Sequence, residues 1–152
     1  MITTLGNTEL MQREKVAFFA SSKTASLSVM PALDWATEVA KREDITVCSG
    51  FQSPLERDIL PYLLRGKCGI IVALNRGLYK KIPEQYRVAY RLGRILFVSL
   101  QSEKTTRPSR AAAERRNQYL ADIADSLVFA SLTPQSSLYP LASKTDKPTT
   151  KI

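Results

Sequence analysis

The chain has 152 residues, is 44% hydrophobic and 24% charged, contains no histidine and carries a formal charge of +8. Such a length and balance describe one soluble domain with a proper core, too apolar for a disordered chain. Without imidazole, a Ser-His-Asp or Cys-His triad and a histidine-ligated zinc or haem are excluded. The charge is unevenly placed: residues 1–64 hold 6 Lys/Arg against 8 Asp/Glu, a net of −2, and residues 65–152 hold 16 against 6, a net of +10. A partner with phosphates would exploit that field through steering and counterion release. A solubilising face with no partner is the plainer alternative.

From the N-terminus, Met1–Gly6 shows no basic stretch followed by an apolar one, so no signal peptide is expected. The longest strictly apolar runs, Val16–Ala20 and Ile70–Leu74, are five residues each, too short to span a membrane. A cytoplasmic protein is the expectation. Lys15–Ala20, Ile45–Cys48, Gly69–Leu74, Ile95–Leu100 and Ser126–Ala130 read as strands covered on both faces, since they are continuous and rich in Val, Ile and Phe. Between them lie helices. Pro31–Arg42 opens on a proline suited to a first turn. Pro54–Arg65 follows a capping box, Ser53-Pro54-Leu55-Glu56, and buries Leu55, Ile59, Leu60, Leu63 and Leu64 before Gly66 stops it. Glu84–Leu92 ends at Gly93, and Ser109–Ala124 turns Ala113, Leu120, Ile123 and Ala124 inward.

Five β units separated by helices predict a Rossmann-like, doubly wound α/β fold: about five parallel strands in three α/β/α layers. Residues 1–132 form that domain, and residues 133–152, rich in Pro, Ser, Thr and Lys, are expected to be a tail whose last ten or so residues are mobile. Cys48 and Cys68 stand 20 apart in apolar segments and read as buried free thiols rather than a disulfide or a nucleophile.

Ligands of such a sheet bind outside the carboxyl ends of the strands. That points to loops 21–24, 49–53, 75–80, 101–107 and 131–136, which hold small hydroxyls, Gly50, Gly77 and the cations Lys23, Arg76, Lys80, Lys104 and Arg107. The capped helix start at Ser53 suits an anion, although any helix after a strand needs a cap. No GxGxxG follows the first strand and no GxxxxGK[ST] is present, which excludes a P-loop. No convincing acid, base or nucleophile stands out, and neither a metal nor a cofactor is expected.

Arg116 lies four before Leu120 and seven before Ile123, which places it at the N-terminal end of the inward stripe. A guanidinium there needs an anionic ligand, or an ion pair with a residue such as Asp34, Asp58 or Asp122. Arg115 faces outward. Residues 65–94 add Arg65, Lys67, Arg76, Lys80, Lys81, Arg87, Arg91 and Arg94 against Glu84 alone, interleaved with Tyr79, Tyr86 and Tyr90. Aromatics among cations suit the stacking of unpaired bases, and the same tyrosines suit a core face.

In this order the motifs resemble the Rossmann-like core of the DprA/Smf family, DNA-processing proteins that load the RecA recombinase on single strands. Val16-Ala17-Phe18-Phe19-Ala20-Ser21-Ser22-Lys23 is similar to the family's first strand ending in Gly-Ser-Arg, and Val47-Cys48-Ser49-Gly50 to its second ending in Ser-Gly. Ile70–Leu74 with Asn75-Arg76-Gly77-Leu78 and Ile82-Pro83 resembles the third strand, its Gly-Leu turn and the following Tyr-Pro. Arg115-Arg116-Asn117, followed by Ala124-Asp125-Ser126-Leu127-Val128-Phe129, resembles the Arg-Arg-Asn-Arg helix and fifth strand. The similarity spans about residues 15–132. The family's Leu-Ala-Arg-Gly-Ile-Asp after Ser-Gly is replaced by Phe51-Gln52-Ser53-Pro54-Leu55-Glu56, its flanking domains are absent, and a short stand-alone relative is implied.

What the resemblance implies is a binding domain holding a phosphate-bearing ligand, single-stranded DNA first. Its phosphate-facing residues would be Ser22, Lys23, Ser49, Gly50, Arg76, Gly77, Arg116 and Asn117, with Ser53 added from its cap. Lys80, Lys81, Arg87, Arg91, Arg94, Arg107 and Arg115 would form the basic surface. The alternative is a free-nucleotide sensor or a nucleotide-processing enzyme of a related Rossmann-like family, although the Gly-Gly-x-Gly-Thr-x-x-Glu motif of the cytokinin-activating hydrolases is missing. A protein-interaction module is the third reading, and whether the chain forms a homo-oligomer is left open.

Overall fold

A computed structural model of the chain describes residues 2–152 apart from Glu103 and Thr106. Its strands are β1 (Thr3–Gly6), β2 (Glu14–Ala20), β3 (Ile45–Ser49), β4 (Gly69–Leu74), β5 (Ile95–Ser99), β6 (Ser126–Ala130) and β7 (Thr149–Lys151). They form one sheet in the order β1-β5-β4-β3-β2-β6-β7. Among the described residues, only β1 runs antiparallel, along β5. The helices are α1 (Ser26–Val39), α2 (Pro54–Leu64), α3 (Arg87–Arg91, entered through a 3₁₀ turn at Glu84–Tyr86), α4 (Arg110–Ile123) and α5 (Tyr139–Lys144).

Alternation along each strand divides the core between the two faces of the sheet. Val16, Phe18 and Ala20 pack with Ala32 and Ala36 of α1 and Leu55, Ile59 and Leu63 of α2. Ala17 and Phe19 pack with Leu120 and Ala121 of α4 and, beyond it, Leu138 and Leu141. The strands are buried on both sides because helices cover both sides, as parallel sheets require. The expected three-layer α/β/α architecture is therefore present, with seven strands where five were expected.

The two extra strands are the sheet's edges. β1 has one apolar residue in four and β7 is Thr-Thr-Lys, fully exposed, so neither carries the apolar run that betrays a buried strand. The end of the chain is joined to the sheet through β7: Thr149–Lys151 pair with β6, the Ile152 N–H donates to Phe129 O (2.8 Å), and Ser131 N and Ser28 Oγ donate to Ile152 O (3.1 and 3.0 Å). Helix α1 begins at Ser26, five residues before Pro31, so the proline sits inside the helix rather than opening it. The predicted Glu84–Leu92 helix is split between the 3₁₀ turn and α3. Among the described residues, no helix is long and apolar enough to cross a membrane.

Candidate functional site

After β2 the chain steps to β3 on one side, and β6 returns on the other, so the strand order reverses between the carboxyl ends of β2 and β6. At that switch point lies a cleft of about 410 Å³. Its lining comprises the hydroxyls of Ser21, Ser22, Ser131, Thr133, Ser136 and Ser137, the Gln135 amide, and the cations Lys23 and Arg110, with no carboxylate among them. The wall is sewn together by hydroxyls: Ser21 Oγ and Ser136 Oγ are 2.7 Å apart, and the Ala25 N–H donates to Ser131 Oγ at 2.9 Å. Ser131 holds a left-handed backbone (φ 58°), a conformation that costs a non-glycine residue about 1–3 kcal/mol and concentrates at functional sites. Helix α1 starts from this wall, and its cap, Ala25, offers no side-chain acceptor. Its first N–H groups therefore keep their positive end toward the carboxyl edge.

One strand over, loop 49–53 meets α4. Arg116 is 6% exposed, and its Nε and Nη2 both donate to Asn117 Oδ1 (3.2 and 3.1 Å). Nη1 is buried with no hydrogen-bond partner. The candidate ion pairs to Asp34, Asp58 and Asp122 are not made, and no described carboxylate bridges this guanidinium. Burial pulls its pKa down, and the field of Glu56 only partly opposes that. Gly50 exists to admit it: a Cβ at position 50 would stand 2.6 Å from Arg116 Cζ. Phe51, the next residue, is also left-handed (φ 51°) and buried, with its N–H on Ser49 Oγ at 3.1 Å. Asn117 lines a neighbouring hollow of about 280 Å³ between α4 and α5, which shares Ser137 with the switch-point cleft.

Not every expected residue joins this assembly. The N-terminus of α2 already holds an anion, its own Glu56. That buried carboxylate accepts the N–H groups of Gln52 (3.0 Å), Ser53 (3.3 Å) and, across to β2, Ala20 (2.9 Å). Ser53 and Glu56 stand in capping-box positions, but the buried Ser53 hydroxyl makes no hydrogen bond. Ser53 is the N-cap by position only, and Glu56 already takes the N–H groups of Gln52 and Ser53 that an anion would use there. Arg76 and Gly77 follow β4, two strands or roughly 10 Å from β2. There Arg76 stacks on Tyr79 at 4.9 Å, and the Gly77 N–H donates to Thr105 O at 2.8 Å.

The basic surface divides too. Lys80, Lys81, Arg87, Arg91, Arg107 and Arg115 are exposed and form no ion pair among the described residues. Arg94 is turned inward, donating from Nε to Cys68 O (2.9 Å), Nη1 to Leu64 O (2.9 Å) and Nη2 to Leu63 O (2.6 Å). It caps α2 and is not part of the surface. Tyr79, Tyr86 and Tyr90 gather around Phe97, with ring centroids at 5.4, 5.1 and 6.4 Å. Tyr86 is buried in the core, and Tyr79 and Tyr90 are partly buried against it. Arg110 was not foreseen, and its signal was a local conflict. It is the first residue of α4 after the Ser109 cap, where a cation opposes the helix dipole.

An open α/β sheet with a cationic, hydroxyl-lined cleft at its switch point gives the chain a Rossmann-like fold. Solved structures of DNA processing protein A (DprA) share that fold. The protein from Helicobacter pylori, whose structure is described for a unique single-stranded DNA binding mode, is 20% identical and superposes with a TM-score of 0.78, over 99% of this chain and 70% of its own. DprA from Streptococcus pneumoniae is 16% identical with a TM-score of 0.75, over 99% of this chain and 54% of its own. The chain thus spans about half the length of the second. No protein-family model matches the sequence, and no curated protein does.

Proposed function

We propose that the protein binds single-stranded DNA along the carboxyl edge of the sheet, holding its phosphates by charge and backbone N–H groups without reading sequence. The observation that carries this reading is the buried Arg116 guanidinium, with an unpartnered Nη1 and no acidic neighbour in bonding range. A buried cation of that kind is expensive unless a ligand supplies the anion. The cleft with Lys23 and Arg110 lies on the same edge, and the chain shares its fold with a protein described as binding single strands. The same reading places the protein in the cytoplasm, among the proteins that process single strands for recombination.

The test is anisotropy titration of a labelled oligothymidylate at two salt concentrations, with a mononucleotide as competitor. Binding should weaken steeply with salt and resist the competitor. Lys23→Ala and Arg110→Ala should each reduce the salt slope by about 0.7, the increment for one phosphate contact on a single strand. No binding at low salt overturns the reading. Full displacement by the mononucleotide replaces it with a free-nucleotide sensor.

A further inference from the structure

The first turn of α1 carries two apolar side chains that the fold does not use. Leu27 is 90% exposed and Met30 is 62% exposed. They are three residues apart and therefore share a face. The turn that bears them is not demanded by the chain. Pro31 would serve well as a first helical residue, yet the helix runs on upstream to Ser26, at the cost of leaving the Leu27 carbonyl without the N–H that residue 31 would otherwise donate. This turn is held on one side to the cleft wall and on the other to the residue after β7. The Ala25 N–H donates to Ser131 Oγ (2.9 Å) in the cleft wall, and Ser28 Oγ donates to Ile152 O (3.0 Å) behind it. Lys23, a cleft cation, precedes Leu27 by four residues, about 14 Å at full extension.

The geometry points to Leu27 and Met30 as a platform for the bases of the strand whose phosphates the cleft holds, an inference that rests on the function proposed above. The occupant follows from the juxtaposition. Cations in the cleft and an apolar face on the helical turn that starts from its wall match a polyanion that also presents flat apolar surfaces, which is what an unpaired strand is. Leu and Met side chains are used against base faces elsewhere, and the Met thioether adds a favourable sulfur–aromatic contact. A protein partner fits less well. Past Pro31, the exposed positions of the helix are polar, namely Asp34, Thr37 and Glu38. Two side chains also fall far below the about 800 Å² per partner that a stable interface needs. Base stacking tolerates any sequence, in keeping with a site that reads backbone alone.

The test compares the parent with a Leu27→Ser/Met30→Ser variant on three probes: labelled oligothymidylate, an abasic strand of equal length, and the same oligonucleotide in duplex. The variant should bind oligothymidylate about tenfold more weakly, with an unchanged salt slope and unchanged affinity for the abasic strand. Leu27→Tyr, equally exposed, should strengthen oligothymidylate binding alone. If the parent binds the strand and both variants bind it equally, the platform is wrong and the function stands. If the parent does not bind, both fall. An equal loss on the abasic strand, or a parent dimer that becomes monomeric in the serine variant, also overturns the platform, the latter by making this face a contact between copies.

Discussion

Two guanidinium groups are drawn into the protein at opposite edges of the sheet, and their surroundings differ completely. At the amino edge, Arg94 gives three N–H bonds to the carbonyls of Leu63, Leu64 and Cys68, tying the end of α2 to the starts of β4 and β5. At the carboxyl edge, Arg116 is more deeply buried, yet both of its bonds go to a single oxygen on its own neighbour, Asn117, and Nη1 has none. The first is a cation satisfied by the fold. The second is a cation that the fold shelters without satisfying. The same contrast holds for backbone strain: among the described residues, the two left-handed non-glycine residues, Phe51 and Ser131, lie at the carboxyl edge. Strain and unmet charge collect where a ligand would repay them.

The largest effect expected from this contrast is on stability. Arg94→Ala removes three charge-assisted bonds to carbonyls at the end of α2, and should lower unfolding stability in urea by about 3 kcal/mol, while oligothymidylate affinity and salt slope stay as in the parent. Loss of binding in a folded Arg94→Ala protein would make the two edges alike. Gly50→Ala comes next. A Cβ at 2.6 Å from Arg116 Cζ should cost about 2 kcal/mol through overpacking. Shortening the opposing side chain should cancel that cost, so the Gly50→Ala/Arg116→Leu pair should show strong coupling in a double-mutant cycle. Arg116→Leu alone should leave stability unchanged or raise it by about 1 kcal/mol, because a buried unpaired charge is removed, and should weaken oligothymidylate binding. Destabilisation as heavy as that of Arg94→Ala would make Arg116 a structural residue.

The strands of the central sheet were legible because each is a continuous apolar run such as Ile70–Leu74, a pattern only a doubly covered strand requires. The edge strands were not, since Thr149–Lys151 is held by backbone bonds to β6 and leaves no mark in its side chains. At the site, Gly50 and Arg116 were both singled out as phosphate-facing, and the structure puts one against the other. Arg94 was misplaced because a run of cations does not say which one faces carbonyls. Ser53 was misplaced because the spacing Ser-Pro-x-Glu shows that Glu56 reaches its own helix cap, but not that it also takes the Ala20 N–H across the sheet. Local pattern reports what a residue can do, and three-dimensional neighbours decide which of those things it does.

The smallest effect carries the comparison into the thiols. Cys48, fully buried in β3 beside the Ser49–Gly50 turn, has its pKa pushed up by burial to about 12, with Lys15 pulling weakly the other way. Cys68 is also raised by burial, but Arg94 opposes that shift with its charge and a hydrogen bond. Above about pH 9 the unfolded chain releases these protons while the folded protein keeps them. The unfolded state then binds fewer protons, so stability is full below that pH and falls as pH rises toward the folded values. Between pH 8 and pH 9.5 the loss from Cys48 should be about 1 kcal/mol, read as a drop in the urea midpoint that is shallower in Cys48→Ala. An identical pH slope in parent and Cys48→Ala would show that this thiol ionises freely. In an Arg94→Ala background the decline should steepen, because Cys68 loses the only groups from Arg94 that favour its thiolate.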